Sequence, residues 1–239
     1  TADLAAAYQL RRLGHGATIF DDHDSLGGMM RYGIPGYRTP RDMVDAEIQR
    51  ILDMGVEAKT KTKIGDDISI SDLEKDFDAI FWAIGAQTGR PLPVPGADAE
   101  NCLSGIAFLE AFNQGRLKFA SKKIVVVGGG DTSIDVASVA RRIGHFQHSH
   151  EKDRPENIVL GHTAHDVAGT MKREGVKAVL TSLFPIEEMT AAEREREDAK
   201  REGIDLRGSV MPLEVILDEN GRATALKMCE CDMDGMKPI

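Results

Sequence analysis

Residues 124–135 constrain the fold of this chain more than any other stretch. Ile124-Val125-Val126-Val127 is an aliphatic run of strand type. Gly128-Gly129-Gly130 follows, and Asp131-Thr132-Ser133-Ile134-Asp135 opens an amphipathic helix. Strand, glycine turn and helix, in that order, build a phosphate site. Gly128 permits the tight turn, Gly130 leaves the backbone open to a pyrophosphate, and the helix N-terminus offers unpaired N–H groups at the positive end of its dipole. Ser133 stands at the third-glycine position, where a small residue lets helix and strand pack closely. A glycine-rich turn that binds nothing is the alternative, but the flanking strand and helix favour nucleotide binding. Asp131 opposes it, since a carboxylate repels a diphosphate unless it points away or caps the helix.

The rest of the chain repeats this alternation. Residues 1–13 have helical spacing and stop at Gly14; 17–20 read as a short strand closed by Asp21. A turn-rich loop holds Gly27, Gly28, Gly33, Pro35 and Gly36. A helix is expected over 40–54 with Pro40 at its first position, then strands near 56–58 and 79–84. Residues 88–98 have linker composition, with three prolines and two glycines. A helix near 106–113 leads to the second cycle: strand 123–127, helix to about 143, a polar His-containing loop over 145–156, a short strand over 158–160, a helix over 163–174, and a strand over 177–183. Thr190 and Glu193 read as a capping box opening a charged helix that ends at Gly203, whose Arg194–Asp198 pair suggests a solvent-facing surface. A hairpin is expected from 215–217 and 225–229 about an Asn220-Gly221 turn. Alternating strands and helices predict an α/β fold: two Rossmann-like, three-layer nucleotide-binding domains, incomplete at both ends. The boundaries read as 1–120, with its linker at 88–120, and 121–239, with a His-rich insertion near 145–175.

Bulk properties narrow the function. The net charge of −9 argues against a nucleic-acid partner. No apolar run is long enough to cross a bilayer, and no signal-peptide pattern opens the chain. Three cysteines, Cys102, Cys229 and Cys231, form no disulfide framework and fit a reducing cytoplasm. Cys229-x-Cys231 lacks the usual C-x-x-C metal spacing, and His145, His148, His150, His162 and His165 lack a completing ligand set, so no metal site is expected.

Several motifs in order resemble a known family. Gly27-Gly28-Met29-Met30-Arg31-Tyr32-Gly33-Ile34-Pro35-Gly36-Tyr37-Arg38-Thr39-Pro40, Trp82-Ala83-Ile84-Gly85-Ala86, Val94-Pro95-Gly96-Ala97-Asp98, Val127 through Asp135, and Glu187-Glu188-Met189-Thr190-Ala191 together look like the small (β) subunit of glutamate synthase and its relatives. The resemblance implies FAD and NAD(P)H as cofactors. It puts Asp21 at the FAD ribose, Gly27, Gly28 and Met29 against the FAD, and Ile84-Gly85-Ala86 at the strand end lining the same site. Gly128, Gly129, Gly130, Asp131 and Thr132 would form the nicotinamide-nucleotide loop. It implies hydride transfer between two cofactors with no catalytic side chain, and onward electron transfer to a partner subunit or domain, with iron–sulfur clusters in further parts of a longer protein.

The chain departs from that pattern in three ways. The first glycine loop and the returning FAD segment are not in it, so weak FAD retention is expected of these residues alone. The His-rich stretch of about thirty residues exceeds a usual αβ connection. Thr181-Ser182-Leu183-Phe184-Pro185 stands where the resemblance implies a Tyr-Arg-Arg cluster for a 2′-phosphate, which favours NADH or dual use. A nucleotide- or partner-binding module without turnover is the competing reading. A disulfide reductase of the thioredoxin reductase type would need a redox C-x-x-C, and the sequence has none.

Overall fold

The structure, a computed structural model, describes residues 1–117, 123–146, 176–235 and 237–239. The expected strand over 158–160, the helix over 163–174 and most of the His-rich insertion lie outside them. The chain divides into two compact units, Thr1–Gln87 and Thr88–Ile239.

In the first unit, helix α1 (Ala2–Arg12) precedes strand β1 (Thr18–Phe20), a one-turn helix α2 (Met29–Tyr32), helix α3 (Arg41–Leu52) and strand β2 (Glu57–Lys59). Strands β1 and β2 pair in parallel, Thr18 opposite Glu57. Leu4 and Ala7 of α1, Ile19 of β1, and Val44 and Ile48 of α3 meet Leu26 and Val56 in one apolar core. That is the helical and strand periodicity of the sequence converted into burial. Pro40 sits at the N-cap of α3, one residue before its expected place. Gly55, at φ +87°, ends the segment after α3, and Arg11 Nε donates to the Met54 carbonyl at 2.8 Å to tie α1 to that turn. A short helix α4 (Ile70–Asp76), which the sequence reading did not include, is capped by the Ser69 hydroxyl accepting from Asp72 N–H at 3.1 Å.

The strand expected over 79–84 does not form. Phe81, Trp82 and Ile84 are exposed and lie outside the β1–β2 ladder. Strand propensity is realised only where a neighbouring ladder takes up the backbone hydrogen bonds.

The second unit holds α5 (Gly105–Asn113), β3 (Lys123–Val127), α6 (Asp131–Phe146), β4 (Lys177–Thr181), α7 (Glu193–Arg201), β5 (Asp205–Arg207), the hairpin β6 (Val210–Leu217) and β7 (Ala223–Glu230), and a small hairpin β8 (Met233–Asp234) and β9 (Lys237–Pro238). A three-stranded parallel sheet runs β3-β4-β5, with Val126 opposite Leu180 and Thr181 opposite Arg207. Ala137, Val139 and Ala140 of α6 and Leu180 of β4 are completely buried. Small residues on α6 let it lie close to the sheet.

Residues 88–117 pack within this unit rather than bridging from the first. Val215 N–H donates to the Pro95 carbonyl at 2.9 Å, and Asn101 exchanges two bonds with Ala223 at 2.8 and 2.9 Å. The hairpin expected about Asn220-Gly221 forms, with both strands reaching beyond their expected bounds. The Asp218 carboxylate gathers the N–H groups of Asn220 and Arg222, both at 2.9 Å, and only Gly221 takes positive φ. No helix among the described residues is long and apolar enough to cross a membrane.

Candidate functional site: the glycine loop and its strap

Strand β3 delivers the chain to Gly128, whose N–H donates to the Thr181 carbonyl at the end of β4 at 2.8 Å. Gly128 has φ +138°, and a Cβ there would run into the Ser133 hydroxyl, so the turn requires glycine and a small residue at 133. A Cβ on Gly129 would lie 2.7 Å from Ser182 Oγ and 3.5 Å from Met189 Cγ. Gly130 differs: its Cβ would meet only Thr190 Oγ1, at an ordinary 3.5 Å. Helix α6 then starts at Asp131, and Ser133 and Ile134 N–H both donate to the Gly130 carbonyl. Among the described residues, the N–H groups of Gly129, Gly130, Asp131 and Thr132 have no hydrogen-bond partner. Four free donors at a glycine turn and a helix N-terminus suit a diphosphate.

Residues 189–192, brought beside the loop from the far side of β4, form a strap along it. Ala191 N–H donates to the Gly129 carbonyl at 2.9 Å, and the Thr190 hydroxyl donates to the same oxygen at 3.3 Å. Ala192 N–H donates to Asp131 Oδ1 at 3.2 Å. The Asp131 carboxylate therefore binds the strap, which answers the objection its charge raises. The expected capping box does not form: the N-cap of α7 is Ala192, with no side-chain cap, and the Thr190 hydroxyl serves the glycine loop. The Arg194–Asp198 pair forms on the exposed side of α7, at 3.9 Å.

Where the resemblance implies an arginine cluster, Ser182 is buried at the tip of β4 and accepts Phe184 N–H at 3.1 Å. Leu183 and Phe184 follow, and a Cβ on Gly208 would crowd Phe184 O and Ile186 N, so the β5 turn closes directly over this loop. Cys231 lies against the Leu183 carbonyl, at 3.8 Å, and burial raises the pKa of its thiol, with Cys229 and Asp232 adding to the effect. A protonated thiol is a poor nucleophile.

In the first unit, Asp21 ends β1, and its Oδ1 accepts His23 N–H at 2.9 Å. The His23 ring sits between Asp21 and Asp22, at 3.0 and 2.8 Å, and stacks on Tyr32 with centroids 4.2 Å apart. Asp21, Asp22 and His23 bring three potential metal ligands within 4.8 Å, but the imidazole nitrogen already has both carboxylates as partners. Gly27 at φ +129° and Gly28 at φ +50° turn the chain into α2, where Met29 begins, and Arg31 Nε donates to the Leu26 carbonyl at 2.7 Å to hold the turn. Ile84-Gly85-Ala86 stays in exposed chain, where Gln87 Nε2 donates to the Ile84 carbonyl at 2.8 Å.

Tyr32 anchors this loop. Its hydroxyl lies 3.0 Å from both Asp24 Oδ1 and the Ser25 carbonyl. Burial, then the Asp24 hydrogen bond, pushes its pKa from 10.0 up to about 12. The folded chain thus holds the phenol proton more tightly than the unfolded chain does. Stability from Tyr32 is full below pH 10 and is lost as pH rises toward 12. Urea unfolding of wild type and Tyr32→Phe at about pH 8 and about pH 11 checks this. The wild type should lose more between the two, and equal losses would refute it.

A glycine turn at the C-terminal edge of a parallel sheet, with a helix starting on it, defines a dinucleotide-binding α/β protein. Residues 1–233 match the family described as pyridine nucleotide-disulphide oxidoreductase, and the chain belongs to that family, whose fold binds FAD and NAD(P). NADPH-Fe(3+) oxidoreductase subunit beta of Geobacter sulfurreducens is 34% identical over 231 residues, covering 95% of this chain and 30% of that protein. The glutamate synthase [NADPH] small chain of Escherichia coli is 27% identical over 244 residues, covering 97% and 45%. The chain thus spans less than half the length of these relatives. Among solved structures, Mycobacterium tuberculosis FprA in complex with NADPH superposes with a TM-score of 0.74 at 13% identity, covering 98% of this chain and 62% of that one, a likeness of fold.

Proposed function

We propose that these residues are the nucleotide-binding core of an NAD(P)H-dependent flavoprotein oxidoreductase of the glutamate synthase small-chain type. The first unit is its FAD side and the second its NAD(P)H side. When bound, the nicotinamide supplies a hydride and the flavin accepts it; electrons then pass to a partner subunit or an iron–sulfur centre. The protein's part is to grip and orient. Gly128–Thr132 takes the nicotinamide dinucleotide by its diphosphate; Asp21 holds the FAD ribose, with Gly27, Gly28, Met29 and the segment from Ile84 to Ala86 around the FAD. The observation that carries the reading is the row of four unpartnered N–H groups from Gly129 to Thr132. The names of the two relatives described, an oxidoreductase subunit and a glutamate synthase small chain, support the reaction class.

Nucleotide choice departs from those NADPH-named relatives. Leu183 and Phe184 offer no guanidinium fork to a 2′-phosphate, which supports NADH or dual use. The decisive experiment is anaerobic mixing of the full-length protein with NADH or NADPH while its flavin absorbance is followed. Bleaching is expected, at least as fast with NADH. A colourless protein would favour the alternative of a binding module without turnover. A yellow protein that neither nucleotide bleaches would also reject the oxidoreductase reading.

A further inference from the structure

Resting on the reading of Gly128–Thr132 as the dinucleotide loop, we infer that Arg196 is a positioning residue: it braces the strap that aims the loop's N–H groups at the diphosphate. Arg196 lies in α7, half-buried, and its Nη1 donates to the Glu187 carbonyl, just ahead of the strap, at 3.0 Å and to the strap's Met189 carbonyl at 2.9 Å. Those bonds fix the backbone immediately before Thr190, Ala191 and Ala192, the three residues that bond the loop.

The consequence follows from peptide geometry. In a trans peptide the C=O and the next N–H point in opposite directions within one plane. Two donors from the strap hold the Gly129 carbonyl toward residues 190–191. The Gly130 N–H, in the same plane, is therefore turned away from the strap to the loop's open side. The Ala192–Asp131 bond does the complementary job, drawing a carboxylate away from the anion that the neighbouring N–H groups would receive. With the strap loose, the Gly129–Gly130 peptide can rotate, since glycine opposes rotation weakly, and Asp131 is released beside the diphosphate.

The test uses the whole chain and two variants. Arg196→Ala removes the brace. Ala192→Pro deletes the N–H that holds Asp131, at a residue whose φ of −57° and ψ of 144° already suit proline. Binding of NADH is titrated calorimetrically, and amide hydrogen exchange is read residue by residue. Arg196→Ala is expected to weaken NADH about tenfold, the equivalent of about one charge-assisted hydrogen bond. Protection should fall at Ala191 and Ala192 while Leu180 in β4 keeps its own. Arg196→Lys, which can still donate to both carbonyls, should recover most of the affinity. Ala192→Pro should weaken NADH by a similar factor and leave Ala191 protected. Unchanged affinity in a variant that has lost protection at Ala191 and Ala192 would overturn the inference. Should Arg196→Ala lose protection throughout, Ala192→Pro decides alone: full affinity in it overturns the inference. A wild-type chain that binds neither NADH nor NADPH rejects the loop assignment itself, a result distinct from all of these.

Discussion

Gly130→Ala should cost dinucleotide affinity about 10–100-fold while barely changing the fold. The two neighbouring glycines set the contrast. At Gly128 the backbone angle of +138° and the Ser133 hydroxyl both reject a side chain. At Gly129 the added Cβ would press on Ser182, whose hydroxyl is buried and already holds Phe184 N–H. Substitution at either would damage the protein before any ligand arrived. Gly130 is free of both problems, because its Cβ finds only ordinary contact with Thr190. Losing glycine just ahead of a helix costs the apo-protein at most about 1 kcal/mol. Any large loss of NADH binding must then come from the methyl group standing where the diphosphate approaches the backbone. Calorimetric titration beside a thermal melt separates the two effects. Normal affinity with a normal melt would show that the diphosphate does not approach Gly130.

That discrimination among three adjacent glycines was only partly legible in the sequence. The pattern of strand, turn and helix identified the loop because apolar periodicity and glycine are local signals. Parallel pairing of β3 with β4, the placement of Ser133 and the burial of α6 all agree with it. The strap was not legible. Thr190 and Glu193 have capping-box spacing, yet the Thr190 hydroxyl is drawn to an oxygen 61 residues away. Only the fold brings that oxygen near, and Arg196 reads locally as one more charge on a charged helix. Strand β5 was missed for a related reason. Asp205-Leu206-Arg207 has too few residues to show alternation and is a strand because β4 offers it an edge. The converse error occurred at 79–84, where β-prone residues lie outside the ladder. Local preference is a weak predictor wherever the deciding partner is distant in sequence.

Leu180→Ala is expected to remove about 2–5 kcal/mol of stability, a large share of the roughly 5–15 kcal/mol typical of a folded domain. Leu180 is completely buried in the central strand of the β3-β4-β5 sheet, between Val126 on one side and Leu206 on the other. Truncation there leaves a cavity that a strand hydrogen-bonded on both edges cannot close by shifting. Val127→Ala is the matched control: it lies in the same sheet with a side chain already exposed, so its loss should stay near 0.5 kcal/mol. Denaturant unfolding of the two variants measures the difference, and similar losses would disprove the central role of β4. The effect reaches the candidate site as well. Strand β4 ends in Thr181, whose carbonyl holds Gly128, and in Ser182, which lies against Gly129. A partly loosened β4 should therefore weaken NADH binding even under conditions where most molecules remain folded. A folded Leu180→Ala protein with wild-type affinity would mean that the strap alone, without the strand end beneath it, fixes the loop.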